Sequence, residues 1–150
     1  MDIYYKINTA NPQTVIGHLN KCNVFFIQRL AEKMDITEYA NKIVENSIRF
    51  EAWKDDELVG LIAAYFNDAN GYSGFISNVS TIELYEGNGL ASELLNICIR
   101  YGKNHNYVDL KLEVFCENKP AIHLYEKYKF SITTIKNDLI LMNRDLRVKK

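Results

Sequence analysis

Residues 86–91 read EGNGLA, set between the apolar-rich run GFISNVSTI (74–82) and the helix-like run LASELLNICIR (90–100). Two glycines one residue apart at this junction serve either a tight surface turn or a ligand that approaches the backbone more closely than side chains permit. A strand that enters a short glycine-rich turn and then a helix leaves the first-turn amides without intrahelical partners. The helix dipole adds partial positive charge at the same place. Gly87 and Gly89 allow unusual φ angles, Ala91 is nearly as small, and Ser92 offers a hydroxyl. That hydroxyl suits a phosphate or an ordinary first-turn bond. Taken alone, G-x-G leaves the turn and the anion seat both open. Neither GxxxxGK[ST] nor a GxGxxG opening a βαβ unit occurs, which disfavours a Walker-type loop and a dinucleotide fold.

Outward from this junction the hydrophobic spacing changes period several times. Ile3–Ile7 reads as a first strand, and residues 13–31 carry helical spacing with a break near Asn20–Asn23. A second helix follows Asp35, which caps it with Glu38 three positions on, and Tyr39, Ile43 and Val44 form its apolar side. Ser47–Trp53 and Leu58–Phe66 flank KDDE as a hairpin, NDANG (67–71) is a turn, and Gly74–Leu84 is a strand. Residues 89–102 form an amphipathic helix with Gly102 as its stop. Val108–Cys116 alternates strictly, as a strand does; Pro120 opens a further helix; and two short strands, near Ser131–Ile135 and Leu139–Asn143, close the chain. This order predicts one α/β domain over residues 1–150, with a mixed, mainly antiparallel sheet flanked by helices.

Composition narrows the function. Lys plus Arg number 18 and Asp plus Glu 19, for a net charge of −1, so no basic stripe marks a nucleic-acid partner. Only the tail RDLRVKK (144–150) is locally basic, as a solvated end would be. Cys22, Cys98 and Cys116 lack CxxC spacing, and His18, His105 and His123 are scattered without HExxH, so no metal site is expected. Neither a signal peptide nor a spanning apolar segment is present, and the expectation is a cytoplasmic protein without a membrane partner.

A second segment, LEVFCENKPAIHLYEKYKF (112–130), places an Asn before a helix and Ala-x-x-x-Tyr inside it, at Asn118, Ala121 and Tyr125. Together with Glu86-Gly87-Asn88-Gly89-Leu90-Ala91, which follows the loop pattern Q/R-x-x-G-x-G/A, it makes the sequence resemble the GCN5-related N-acetyltransferase (GNAT) superfamily. The resemblance spans nearly the whole chain and implies the GNAT fold. It also implies acetyl-CoA as acyl donor, with its pyrophosphate on Gly87, Asn88, Gly89, Leu90 and Ala91 and Ser92 as a further contact. The pantetheine arm would run beside the strand end at Thr81–Leu84, near Ile82 and Leu84. Asn118 would contact that arm or cap its helix, and Tyr125 would protonate the leaving thiolate.

Three positions depart from the family pattern. Glu86 replaces Gln or Arg and is expected to face away from the anion, Leu84 stands where proline is common, and Lys129 replaces a glycine before Phe130. The chemistry itself asks for an aligned amine, donors for developing charge and a proton for the sulfur. A tyrosine can give that proton. No base is evident: Asn78 and Ser80, read as sharing a strand side with Ile76 and Ile82, could orient an amine, while Glu83 and Glu113 read as surface carboxylates. Tyr128 reads as core. The acceptor is expected under the N-terminal helices and the Tyr65–Ser77 segment, among Phe25, Phe26, Tyr65, Phe66, Tyr72 and Phe75. A small-molecule amine such as an amino sugar leads, a peptide or protein N-terminus follows, and a non-catalytic acyl-CoA-binding module is the rival from another class. Exposed closing strands leave a homodimer possible.

Overall fold

The computed structural model describes residues 2–22 and 35–147. A seven-stranded sheet runs in the order β1-β2-β3-β4-β5-β7-β6. Its strands are β1 (Tyr4–Ile7), β2 (Ile48–Lys54), β3 (Glu57–Tyr65), β4 (Ser73–Thr81), β5 (Asp109–Phe115), β6 (Ser131–Lys136) and β7 (Leu139–Asp145). Every neighbouring pair is antiparallel except β4 and β5. The helices are α1 (Pro12–Asn20), α2 (Ile36–Asn46), α3 (Leu90–Asn104) and α4 (Lys119–Lys127).

The sheet has a different cover on each face. Ile62, Ala64, Ile76, Leu110 and Leu112 join Leu90, Leu94, Leu95 and Cys98 of α3, with Ile122 and Tyr125 of α4, in one apolar cluster. On the other face Leu58 and Leu61 meet Val15 and Leu19 of α1 and Ala40 of α2. Strand β3 therefore feeds both layers, and its sequence ELVGLIAAY is apolar almost throughout, as burial on both faces requires. Gly60 lets α3 settle on β3, since a Cβ there would stand 3.1 Å from Leu94 Cδ1.

The helices start where sequence chemistry places them. Asn11 Oδ1 accepts from Thr14 N at 2.8 Å at the head of α1, and Asp35 Oδ2 accepts from Glu38 N at 3.3 Å at the head of α2. The turn before α1 is tied down by Glu51, a fully buried carboxylate on β2. It accepts from Thr9 N at 3.0 Å, Ala10 N at 2.9 Å and Trp53 Nε1 at 3.1 Å.

The helix over Pro12–Asn20 ends at the break read near Asn20–Asn23, and residues 23–31 lie outside the described residues. Three expectations shift. Gly102 is no helix stop: α3 continues to Asn104, and the missing side chain makes room for Leu146, whose Cδ1 would lie 2.8 Å from a Cβ. β4 stops at Thr81 because residues 83–85 wind into a 3₁₀ turn, with Tyr85 N donating to Ile82 O at 2.9 Å. Arg144 and Asp145 extend β7 rather than starting a solvated tail, and Arg144 donates to Tyr128 O at 2.8 Å. Among the described residues, no helix is long and apolar enough to cross a membrane, and no group of three or more His, Cys, Asp or Glu could hold a metal ion.

Candidate active site

The parallel pair β4–β5 is in register only from Ser73–Asp109 to Ile76–Leu112. Beyond that point both strands continue, β4 to Thr81 and β5 to Phe115, while each keeps its ladder with its outer neighbour. The facing edges of 77–81 and 113–114 thus carry strand backbone without a strand between them. Main-chain donors and acceptors of this kind invite an extended ligand with amide groups of its own. A bulge accompanies the divergence: Ala63 pairs with Asn78 and Ala64 with Ile76, so Ser77 is the extra residue.

Both family segments lie at the carboxyl ends of these diverging strands. After β4 and the 3₁₀ turn, Gly87 and Gly89 take φ of 84° and 79°, left-handed values that suit glycine. Nothing lies within 4 Å of a Cβ built on either one, so it is backbone conformation and open space, not packing, that call for glycine there. Gly89 is the N-cap of α3 and no side chain caps the helix; its first intrahelical bond is Glu93 N to Gly89 O at 3.1 Å. The amides of Leu90, Ala91 and Ser92 accordingly have no partner within the helix. This uncapped start fits the diphosphate of a coenzyme A. Asn88 Nδ2 donates to Tyr85 O at 3.0 Å within the turn, and both Asn88 and Glu86 are exposed. Ser92 Oγ hydrogen-bonds Tyr128 Oη, which ties the head of α3 to the end of α4.

Ile82 is buried and Leu84 is 83% exposed. The Ile82 main chain is already paired, its N–H donating to Val59 O at 3.0 Å and its carbonyl accepting from Tyr85. After β5, Asn118 is the N-cap of α4, accepting from Ala121 N at 3.3 Å. About two turns further, Tyr125 is buried to 6% exposure with its ring 6.0 Å from Phe130, and its hydroxyl bonds no described residue. Burial pushes its phenol well above the usual range, so it holds its proton. Lys129 does adopt positive φ, 72°, at the end of α4.

On the opposite face, Asn78 and Ser80 do not share a side with Ile76. The bulge at Ser77 shifts the alternation by one residue and turns both toward α1 and α2. Ser80 Oγ lies 2.8 Å from His18 Nε2 and 2.8 Å from Asn78 Oδ1; Asn78 Nδ2 lies 3.3 Å from Tyr39 Oη, which reaches Ser77 O at 3.3 Å. Tyr65 stands beside Tyr39 and Ser77, and burial followed by Tyr39 raises its phenol. His18 had read as one of three scattered histidines and Tyr39 as an apolar-side residue. The one available signal was a polar pair inside an otherwise apolar central strand. Glu83 and Glu113 are both exposed, as are Tyr72 and Phe75, while Phe25 and Phe26 lie outside the described residues.

Comparison with known proteins agrees with this geometry. The chain superposes on a Desulfovibrio desulfuricans protein described as an acetyltransferase of the GNAT family, with TM-score 0.81 at 15% identity over 97% of this chain and 99% of that one. The PaiA N-acetyltransferase of Thermoplasma acidophilum, solved with coenzyme A, gives TM-score 0.80 at 17% identity over 97% and 99%. The ribosomal-protein-S18-alanine N-acetyltransferase of Escherichia coli gives 0.72 at 16% over 98% and 97%. At such identities these likenesses establish the fold. No curated protein matches the sequence. The family itself is fixed by a sequence model of the acetyltransferase (GNAT) family, which matches residues 16–130, and this chain belongs to that family.

Proposed function

We propose that this acetyltransferase moves the acetyl group of acetyl-CoA directly to a primary amine of a small molecule, with amino sugars among the candidates. The observation that carries the reading is the junction itself: two strands part, an uncapped glycine-led helix follows one, and a buried tyrosine whose hydroxyl bonds no described residue follows the other. Amides from Gly87 to Ser92 hold the diphosphate, with the Asn88 backbone among them and the Ser92 hydroxyl shared with Tyr128. The pantetheine arm pairs with the open edge of 77–81, flanked by Ile82 and Leu84, and Asn118 fixes α4 beside it. Transfer forms an N–C bond and breaks the C–S bond. The electron pair goes to sulfur, Tyr125 supplies sulfur's proton, the proton shed by nitrogen passes to water, and the Tyr125 phenolate takes one back from water. Alignment of amine and thioester supplies much of the rate. Burial disfavours a free Tyr125 phenolate, so the phenol hydrogen-bonds the sulfur and yields its proton as the C–S bond breaks, to a thiolate that the same burial makes more basic.

The test is thiol release from acetyl-CoA across primary amines, amino sugars and peptides, with mass detection of the acetylated product. Tyr125→Phe is expected to lower kcat about a hundredfold while acetyl-CoA affinity stays within about twofold. Unchanged kcat removes Tyr125 from the mechanism. Acetyl-CoA binding without transfer to any acceptor favours the binding-module reading, which the exposure of both Glu83 and Glu113 supports. Strand β6, exposed throughout and at the edge of the sheet, is where a second copy would pair, and light scattering reads that assembly.

A further inference from the structure

The head of α3 is braced from another helix. Ser92 is the third residue of α3, and its own N–H is one of three first-turn amides without a partner inside the helix. Its hydroxyl bonds Tyr128 Oη and, among the described residues, nothing else, and the Tyr128 hydroxyl has no other described partner either. The fold fixes Tyr128 on three sides. It closes α4, with its N–H donating to Tyr125 O at 3.0 Å; its carbonyl accepts from Arg144 of β7 at 2.8 Å; and its ring packs against the core. Backbone and packing thus place the phenol oxygen before any ligand arrives.

The two hydroxyls carry two hydrogens, and the bond between them uses one. Whichever way that bond runs, the other O–H has no acceptor among the described residues. Chemistry chooses the direction. A phenol is a stronger acid than an alkyl hydroxyl, and its lone pair is partly drawn into the ring, so Tyr128 donates and Ser92 accepts. The Ser92 proton is the one left over. A hydroxyl that accepts one bond is polarised into a better donor for the next. A serine in the first turn of a helix, without such a partner, turns its proton back to a carbonyl of the preceding turn, Gly89 O being three residues earlier. Ser92 makes no such bond. Both residues are half-buried, so the pair stands at the border between the packed helices and the open head of α3.

We propose that Tyr128 is a positioning residue for the cofactor: its phenol takes the Ser92 hydroxyl oxygen as acceptor and so aims the Ser92 proton at a diphosphate oxygen of coenzyme A. The seat then presents three N–H groups and one O–H in one place, which suits an anion with several oxygens. This role rests on the transferase reading, which puts the diphosphate at the head of α3, and it gives the closing residue of α4 a task besides packing.

Calorimetry with coenzyme A tests it. Ser92→Ala is expected to weaken binding about tenfold and Tyr128→Phe about fivefold, while the double variant stays near Ser92→Ala alone, because the phenol acts only through the serine. Effects that multiply to about fiftyfold would mean two independent contacts and overturn the series arrangement. Ser92→Thr keeps a hydroxyl on the same carbon and should bind within about threefold of the parent. In turnover, Tyr128→Phe is expected to raise the acetyl-CoA KM about fivefold with kcat unchanged. A mere brace between α3 and α4 predicts a lower Tm with coenzyme A affinity intact, and that result overturns the role. Crystals of the coenzyme A complex separate the two directly: Ser92 Oγ is expected to touch both Tyr128 Oη and a diphosphate oxygen, and a Ser92 hydroxyl turned from the diphosphate sinks the proposal. A parent that binds coenzyme A yet acetylates no amine defeats the transferase reading alone and leaves these measurements decisive; a parent that takes up none defeats both.

Discussion

The surroundings of β4 are built from two different materials. The turn that follows it is main chain: glycine φ angles and free first-turn amides, beside the bare edge of β4 itself. The face it turns to α1 and α2 is side chain: an imidazole, a hydroxyl, a carboxamide and a phenol drawn from α1, β4 and α2. Main-chain recognition depends on where the backbone goes, so many sequences supply it provided a few glycines are kept. Side-chain recognition depends on which groups meet and which way their hydrogens run, so one protonation or one substitution can reverse its polarity.

That contrast has measurable consequences. Acid should strike the side-chain cluster around His18 first and hardest. His18 titrates at about 4 in the fold against 6.5 unfolded, so below the unfolded value the unfolded chain binds more protons. The stability tied to its neutral form is complete above about pH 6.5 and drains away as pH falls toward about 4, a loss of about 3 kcal/mol. Urea titrations of the parent and His18→Gln should therefore show their stability difference shrinking by that amount across the window; a constant difference refutes the assignment. The glycine turn should answer to backbone strain instead. Gly89→Ala meets no neighbour within 4 Å, yet forces a side chain to φ 79°. About tenfold weaker acetyl-CoA binding by calorimetry, with amine KM unchanged, is expected. The smallest effect is a gain. Lys129 holds φ 72° where glycine is at ease, so Lys129→Gly should add about 1 kcal/mol to stability and leave both substrates untouched.

The same contrast decides what could be read in advance. The Gly87–Gly89 pair, the Asn118 cap and the order of elements were legible because each depends on residues near in sequence. Lys129, which replaces a family glycine, takes positive φ, a value that the substitution alone did not foretell. The faces of β4 were misread, because an alternation rule holds only until a bulge, and Ser77 bears no mark that it is the extra residue. Gly102 was misread because a glycine near the end of a helical pattern signals a stop, and its true neighbour, Leu146, lies 44 positions later. His18 was passed over for the same reason: Ser80 is 62 positions away, and nothing local marks the pair.

The short ladder between β4 and β5 also bears on the endurance of the whole molecule. Four residue pairs and the helix beneath them join two leaves of a folded page, β1–β4 on one side and β5–β7 on the other. A long molecule lying in the gutter would grip both leaves at once, so its affinity becomes cohesion. At a hundred times its dissociation constant it would add about 2.7 kcal/mol to the work of pulling the chain apart. A cell well stocked with the donor would then hold this protein shut for reasons unrelated to turnover.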